Sequence, residues 1–396
     1  MEILEKLKQQ VIAEIDKNKN ELIALSTQIH DSPELSFQEF KAVEWLTEYL
    51  SKNGFVVEKG IADLPTAFRA TFKGSEEQPT IGLLAEYDAL PKVGHGCGHN
   101  IMGVAGPGAA VAVKNVIADL PGQIQVIGTP AEENGGGKII MAKKGFFDQL
   151  SAAMIVHPGT RTEVHYKNIA CQSMSIEFFG KASHASGAPE KGINALDAVI
   201  LSYNMINALR QHIRQDSRIH GIITHGGEAS NVVPEYASAS FTVRSPDDKY
   251  LDELLIKVLN CFRAAAQATG TRLEYKLSPS RYASMRTNKT LAEAFAENYR
   301  KLGVEVQERR SDAGMGSSDM GNVSHIVPAI HPSIAIAPDS VQEHSISFAD
   351  AAVSEAGHYG LLNATKALAM TTIDLLFDPY LLINSRNEFQ ETGVNQ

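Results

Sequence analysis

Several things are scarce in this chain of 396 residues, and each scarcity excludes something. It holds only three cysteines, Cys97, Cys171 and Cys261, too few and too scattered for a disulfide framework. No run approaches the roughly eighteen uninterrupted apolar residues that a membrane-spanning helix needs. The first ten residues, MEILEKLKQQ, carry charges every few positions and no apolar core, so no signal peptide is expected. Basic residues are the minority, 36 against 46 acidic ones, for a formal charge of −10. That balance argues against nucleic acid or an anionic membrane as the partner. The glycines at 94, 96 and 98 do not form G-x-G-x-x-G, and no Walker motif occurs, so a nucleotide-dependent enzyme has no support. Gly314-Met315-Gly316-Ser317-Ser318 fails the G-x-S-x-G pattern of a serine hydrolase. No repeat of fixed period is present. What remains is an ordinary globular composition, 43% hydrophobic and 7% aromatic. The expectation is an acidic cytoplasmic protein of two domains, or of one domain carrying a large insertion.

The periodicities give that expectation a shape. Helical spacing runs from Ile3 to about His30 and again from Gln38 to Asn53, broken at His30-Asp31-Ser32-Pro33-Glu34 by proline. Short β-like runs follow at 55–57, 67–72 and 80–85. Then come a helix rich in small residues at 101–120, a strand at 123–128, a helix at 138–144 and a strand at 152–156. Such alternation predicts a mostly parallel sheet covered on both faces. Between about 171 and 280 the order becomes β-α-β-β-α-β, the split βαβ layout of a small autonomous domain. A helix at 291–302, a strand at 304–308 and a helix at 355–377 resume the first pattern. The fold class expected is therefore α/β, with residues 1–170 and 281–396 forming one domain and 171–280 inserted into it. The Lys-rich face of the first helix is read as solvated surface, and Cys171 and Cys261 as buried small hydrophobes.

Reactive residues gather at the predicted strand ends. In Gly94-His95-Gly96-Cys97-Gly98-His99-Asn100 a thiol and an imidazole stand two residues apart, among glycines that let the backbone turn both toward one ion. This supplies two ligands of the four usually wanted, and a flexible turn with incidental side chains is the plainer reading. Thr129-Pro130-Ala131-Glu132-Glu133-Asn134-Gly135-Gly136-Gly137 follows an apolar strand. Adjacent carboxylates on an extended strand end point in opposite directions, so one can hold a metal while the other faces a water. His157, in Val156-His157-Pro158, ends a third strand. Spacing alone does not choose among His325, His331 and His344. Together the clusters suit metal-assisted hydrolysis.

His30-Asp31-Ser32-Pro33-Glu34-Leu35-Ser36, Tyr87-Asp88-Ala89-Leu90-Pro91, Gly96-Cys97-Gly98-His99, Glu132-Glu133-x-Gly-Gly-Gly and His157-Pro158 occur in this order along the chain. They resemble the M20 metallopeptidases, in particular the D subfamily of amidohydrolases. Gly-Cys-Gly-His-Asn with Thr-Pro-Ala-Glu-Glu is most similar to the branch of p-aminobenzoyl-glutamate hydrolases and M20-domain dipeptidases. The resemblance implies a di-metal catalytic domain with an inserted ferredoxin-like lid that also dimerises. It makes Cys97, His99, Glu133, His157 and His344 the ligands of two divalent ions, zinc or manganese. Glu132 becomes the general base and Asp88 a carboxylate orienting a ligand. His344 is preferred because Glu343-His344-Ser345-Ile346-Ser347-Phe348 resembles the family's His-Ser/Thr-x-x-Phe segment. His331 is the reserve ligand, otherwise counted with the substrate-binding groups. In the lid, His184 of Lys181-Ala182-Ser183-His184-Ala185 resembles the histidine that polarises the scissile carbonyl, often across a dimer. Asn231 and Arg244 resemble groups that bind a substrate carboxylate, a task suited to the planar fork of arginine.

Two departures from the family stand out. Glu86 occupies the place of a metal-binding histidine in the wider family, a ligand read here as replaced by the Cys97/His99 pair. Asn100 stands where most of the subfamily has aspartate. The expected activity is cleavage of an amide or peptide bond in a small carboxylate-bearing substrate by a metal-activated water, Glu132 taking its proton. A broader dipeptidase or peptidase with the same site is the nearest alternative, and a non-catalytic metal-binding scaffold a more distant one. A homodimer through the lid is expected, with a tetramer as a further option.

Overall fold

The computed structural model describes residues 2–117, 119, 121–165, 167–310 and 316–394. Gly314 and Met315 of the stretch tested for serine chemistry, and Ala118 and Leu120 of the small-residue helix, lie outside the described residues. The chain folds as two compact units, one of Met1–Lys167 with Met285–Gln396 and the other of Asn168–Ser284. The larger unit begins with helices α1 (Glu2–His30) and α2 (Phe40–Lys52) and strands β1 (Val56–Lys59), β2 (Phe68–Lys73) and β3 (Thr80–Ala85). It continues through α3 (His99–Val116), β4 (Gln123–Gly128), α4 (Gly137–Lys143), β5 (Ala152–Met154) and β6 (His157–Gly159). The smaller unit contains β7 (Ala170–Phe179), α5 (Ala195–Leu209), β8 (Arg218–His225), β9 (Tyr236–Ser245), α6 (Asp248–Thr269) and β10 (Arg272–Leu277). The chain then returns with α7 (Lys289–Lys301), α8 (Met320–Ser324), β11 (Ala329–Ile330), β12 (Ser333–Ala335), α9 (Ile346–Ala352), α10 (Glu355–Phe377) and α11 (Pro379–Val394).

The sheet of the larger unit runs β1-β2-β4-β3-β5-β11. It is parallel only in its second half, where β4, β3, β5 and β11 are neighbours, because β2 lies antiparallel to both β1 and β4. Five of its six strands therefore run the same way and only β2 opposes them, so the sheet is mixed but mostly parallel, as the alternation predicted. All six residues of β3, TIGLLA, are buried, as a central strand covered on both faces requires. Helix α3 lies on it with fifteen of its eighteen residues buried. Its small residues permit that approach, since a Cβ on Gly106 would stand 2.9 Å from the Leu84 carbonyl oxygen.

The smaller unit is a four-stranded antiparallel sheet, β10-β7-β9-β8, with α5 and α6 packed on one face. Period-two alternation puts Ala237, Ala239, Phe241 and Val243 into that core, with Met174, Ile176 and Phe178 beside them. Ser238, Ser240 and Thr242 take the other face of the same strand.

Three expectations give way to the structure, and one helix appears that none foresaw. Residues 304–308 alternate like a strand but form none; Gln307 N–H to the Thr162 oxygen at 2.8 Å is an isolated bond rather than a ladder. Helix α11 carried no strong periodicity. It starts at Pro379, where a missing N–H does no harm, and is docked when Glu388 accepts the N–H groups of Lys289 and Thr290 at the start of α7. Lys8, on the α1 face read as solvated, is only 4% exposed. Cys261 is only partly buried, although Cys171 is buried.

Candidate metal centre

The four parallel strands end at one edge of the sheet, where α/β folds gather their chemistry. Beyond β3 come Glu86 and Asp88, beyond β4 come Glu132 and Glu133, beyond β5 comes His157, and beyond β11 comes His331. The last two meet because β6 and β12 pair in parallel with His157 opposite Ser333. Their rings lie edge to face, with centroids 5.5 Å apart.

Cys97 and His99 enter from the loop that starts α3. Gly98 turns there with φ 71°, and a Cβ on it would stand 2.9 Å from the ring of Pro158. His344 is brought in from far along the chain when its N–H donates to the Gly96 carbonyl oxygen at 2.9 Å. Glu132 and Glu133 do not lie on an extended strand end. Ala131 adopts φ 61°, and residues 132–135 form a turn. The two carboxylates diverge all the same, because the turn sends them into different groups.

One group holds the Cys97 thiol, Glu133 and His344, and the other Glu86, His99 and Glu132, each with its donor atoms within 4.8 Å of one another. The Glu133 carboxylate lies between the two, one oxygen 3.9 Å from His99 Nε2 and the other 3.9 Å from His344 Nε2. His157 belongs to neither group, although its ring centroid is 5.8 Å from that of His99. His331 is buried beside His157, whereas His344 is exposed.

The donors fit divalent ions. Bond lengths of about 2.0–2.3 Å place two donors of one tetrahedral ion roughly 3.5 Å apart, comparable to the spacings here. His99 Nε2 and Glu133 Oε1 are buried and make no hydrogen bond, an arrangement that protein avoids unless something else occupies the gap. The electrostatics agree. Burial disfavours a charged His99, yet the carboxylates of Asp88, Glu86 and Glu133 outweigh it and raise its pKa to about 10. Burial, with the Glu133 carboxylate beside it, pushes the Cys97 thiol up. Burial, then the charges of Glu86, Asp319 and Glu133, raises Glu132 well above the usual carboxylate range. A pocket that draws protons onto its acids and imidazole is short of positive charge.

Asp88 orders this arrangement. Its Oδ1 lies 3.0 Å from His99 Nδ1, and its Oδ2 accepts the Ser36 hydroxyl and the Glu133 N–H at 3.0 Å each. His99 therefore donates from Nδ1, which leaves Nε2 facing the gap as the atom that a metal ion would take in place of its proton. Behind the pocket lies a group that motif reading missed. Lys138 Nζ contacts Glu86 Oε1 at 2.5 Å and Asp319 Oδ1 at 2.7 Å, all three side chains fully buried. Glu86, read as a lost ligand, is thus both an ion-pair partner and a member of a donor group. Its place just before Tyr87-Asp88 was the available signal; Lys138 and Asp319 had none.

His184, Asn231 and Arg244 belong to the smaller unit. His184 Nδ1 accepts the N–H groups of Ser186 and Gly187 at 3.3 and 3.1 Å, which leaves the ring proton on Nε2. Asn231 adjoins it, its carbonyl oxygen accepting the Ala185 N–H at 2.9 Å. Arg244 does not join them. It lies near the far end of β9, eight residues beyond Tyr236, whereas His184 bridges Val232 ahead of that strand.

Residues 82–358 match the sequence pattern of the peptidase family M20/M25/M40. The mouse Xaa-Arg dipeptidase is 38% identical, with 98% of this chain and 93% of the relative covered. A p-aminobenzoyl-glutamate hydrolase component from Escherichia coli is 29% identical over 96% and 94% of the two chains. Among solved structures, a Bacillus subtilis protein described as a dinuclear metal binding peptidase superposes with TM-score 0.70 at 22% identity, covering 91% of this chain and 99% of that one.

Proposed function

The chain belongs to peptidase family M20/M25/M40, in a branch like the D subfamily of M20, and from that premise we propose that it cleaves the amide bond of a small carboxylate-bearing substrate at the strand-end pocket. N-acyl amino acids, aminobenzoyl amino acids and dipeptides are the substrate class. The observation that carries this reading is the pair of donor groups, Cys97, Glu133 and His344 in one and Glu86, His99 and Glu132 in the other, with the Glu133 carboxylate facing both. Cys97, His99, Glu133 and His344, with His157 behind His99, hold two divalent ions in this reading. The thiolate favours zinc, and the carboxylates and imidazoles also accept manganese. Bound there, such ions lower the pKa of a water and polarise the amide carbonyl.

The chain's own groups do the rest. Glu132 takes the proton of the attacking water and returns it to the leaving amine, as a carboxylate of raised pKa is suited to do. Asp88 keeps His99 in one tautomer. His184 donates from Nε2 to the developing oxyanion, and Asn231 and Arg244 hold the substrate carboxylate. The smaller unit serves as the lid. His184 bridges Val232, ahead of β9, whereas Arg244 lies near the far end of that strand. That separation supports a homodimer in which the partner supplies one of them.

The test combines metal analysis with turnover on Xaa-Arg dipeptides and p-aminobenzoyl-glutamate. Wild-type protein should carry about two ions per chain and lose amide cleavage to a chelator. Glu132→Ala should lose about two to four orders of magnitude in kcat while keeping its metal. Loss of metal would instead make Glu132 a ligand, beside Glu86 and His99.

A further inference from the structure

Glu39 has no part in the mechanism above, yet it is fully buried and reaches the turn that carries both active carboxylates. Its Oε1 accepts the N–H groups of Ala131 and Phe37, each at 2.9 Å. Both donors are non-glycine residues in the left-handed region, with φ 61° and 64°. There the side chain crowds the following carbonyl, and such a conformation persists only where its surroundings impose it. Residues 34–39 touch the site at further points. The Phe37 ring lies against Gly135 at the end of the turn, so that a Cβ on that glycine would stand 2.3 Å from it. Ser36 Oγ donates to Asp88 Oδ2, the oxygen that also accepts the Glu133 N–H. Leu35 pairs alongside Ala89, whose N–H donates to the Glu34 oxygen at 2.9 Å. One short segment thus grips residues 131, 133 (through Asp88) and 135.

Resting on the reading of Glu132 as the base, we infer that Glu39 is a positioning residue, whose buried carboxylate oxygen locks Ala131 in its left-handed conformation and so aims Glu132, while Asp88 holds the Glu133 N–H. Without that acceptor the Ala131 N–H is left unpaired inside the protein, and the residue relaxes toward negative φ. The peptide that follows then rotates and carries Glu132 off its line. A displacement of about 1 Å at a reacting group is enough for a large loss of rate.

The experiment compares wild type, Glu39→Ala, Glu39→Gln and Glu39→Asp with metals loaded. It measures kcat and KM on the best dipeptide, bound metal, and hydrogen exchange at the Ala131 amide. Glu39→Ala should lose on the order of tenfold to a hundredfold in kcat, with KM and metal content near wild type. Exchange at Ala131 should quicken while the amides of α3 stay protected. Glu39→Gln, which keeps an oxygen to accept both N–H groups, should restore kcat and protection. Wild-type kcat in Glu39→Ala would overturn the inference, and so would a Glu39→Gln as impaired as alanine, since charge rather than position would then matter. If Glu39→Ala does not fold, Glu39→Asp decides, its shortened carboxylate being expected to lower kcat at constant KM; unchanged kcat would overturn the inference. A wild-type chain that cleaves no amide would sink the functional reading alone, and the Ala131 exchange of Glu39→Ala against Glu39→Gln would then decide the brace.

Discussion

Two lysines are buried in the larger unit, and they are buried differently. Lys8, on α1, meets Asp374 of α10 at 2.6 Å, and Asn298 of α7 accepts from its Nζ at 2.9 Å. Asn298 also donates to Asp374 at 2.8 Å and to Thr371 Oγ1 at 2.9 Å, so one cation faces one anion and Asn298 bonds to both. Lys138 faces two carboxylates, Glu86 and Asp319, with Glu132 close enough to raise its pKa further. Burial works against the Lys138 charge, and those three anions outweigh it. The first network is balanced and ties three helices together. The second is left negative beside groups that suit a metal. A buried ion pair by itself says little about function, because its desolvation and its attraction nearly cancel. The residual charge is what separates a structural network from the surroundings of a candidate metal site.

The largest way to break this contrast is Lys138→Met. It leaves two buried carboxylates without their cation and should lower stability by at least about 3–5 kcal/mol in urea unfolding. Adding Glu86→Gln and Asp319→Asn should recover much of that loss, and no recovery would mean that packing rather than charge sets the effect. Lys8→Met should be milder, about 3 kcal/mol, since Asp374 keeps its bond from Asn298. The kcat of the folded fraction should be unchanged, and a lower kcat would show that the balanced network is coupled to the site after all. The smallest effect concerns a partly exposed carboxylate, Glu388. Burial disfavours its anion, but the Thr290 hydroxyl and the N–H groups of Thr290 and Lys289 outweigh this and hold its pKa below the usual 4.5. The unfolded chain therefore takes up this proton first as pH falls. The stabilisation is complete above about pH 5 and disappears as pH drops through the depressed pKa. Amide exchange in α11 should quicken in that acid window, and Glu388→Gln should remove the dependence. An α11 that stays equally protected would deny Glu388 its docking role.

Much of this architecture was written in local patterns. Helix α10 spans Glu355–Phe377 as its periodicity predicted, and β-α-β-β-α-β is the element order between Ala170 and Leu277. The motifs at Cys97, His99, Glu132, Glu133 and His157 announced themselves through glycines and strand ends. The alternation at 304–308 misled because period two describes a surface and not a partner; only one ladder bond is available there. Glu132 and Glu133 diverge through a turn rather than along a strand, since the left-handed Ala131 is held by a carboxylate ninety-two residues earlier in the chain.

The amino-acid sequence alone determined the class of fold, the family and the residue types of the site, because periodicity, turn chemistry and short motifs are local properties of a chain. Tertiary structure decided which of those residues meet. It split the expected ligands into two groups about Glu133, left His157 beside His99 and His331, and set His184 against Val232 ahead of β9 but Arg244 near the end of that strand. It also brought in Glu86, Lys138, Asp319 and Glu39, whose parts depend on burial and on partners as far along the chain as the 181 residues between Lys138 and Asp319. Charge in a dry interior is governed by distance in space, and sequence spacing does not carry that distance.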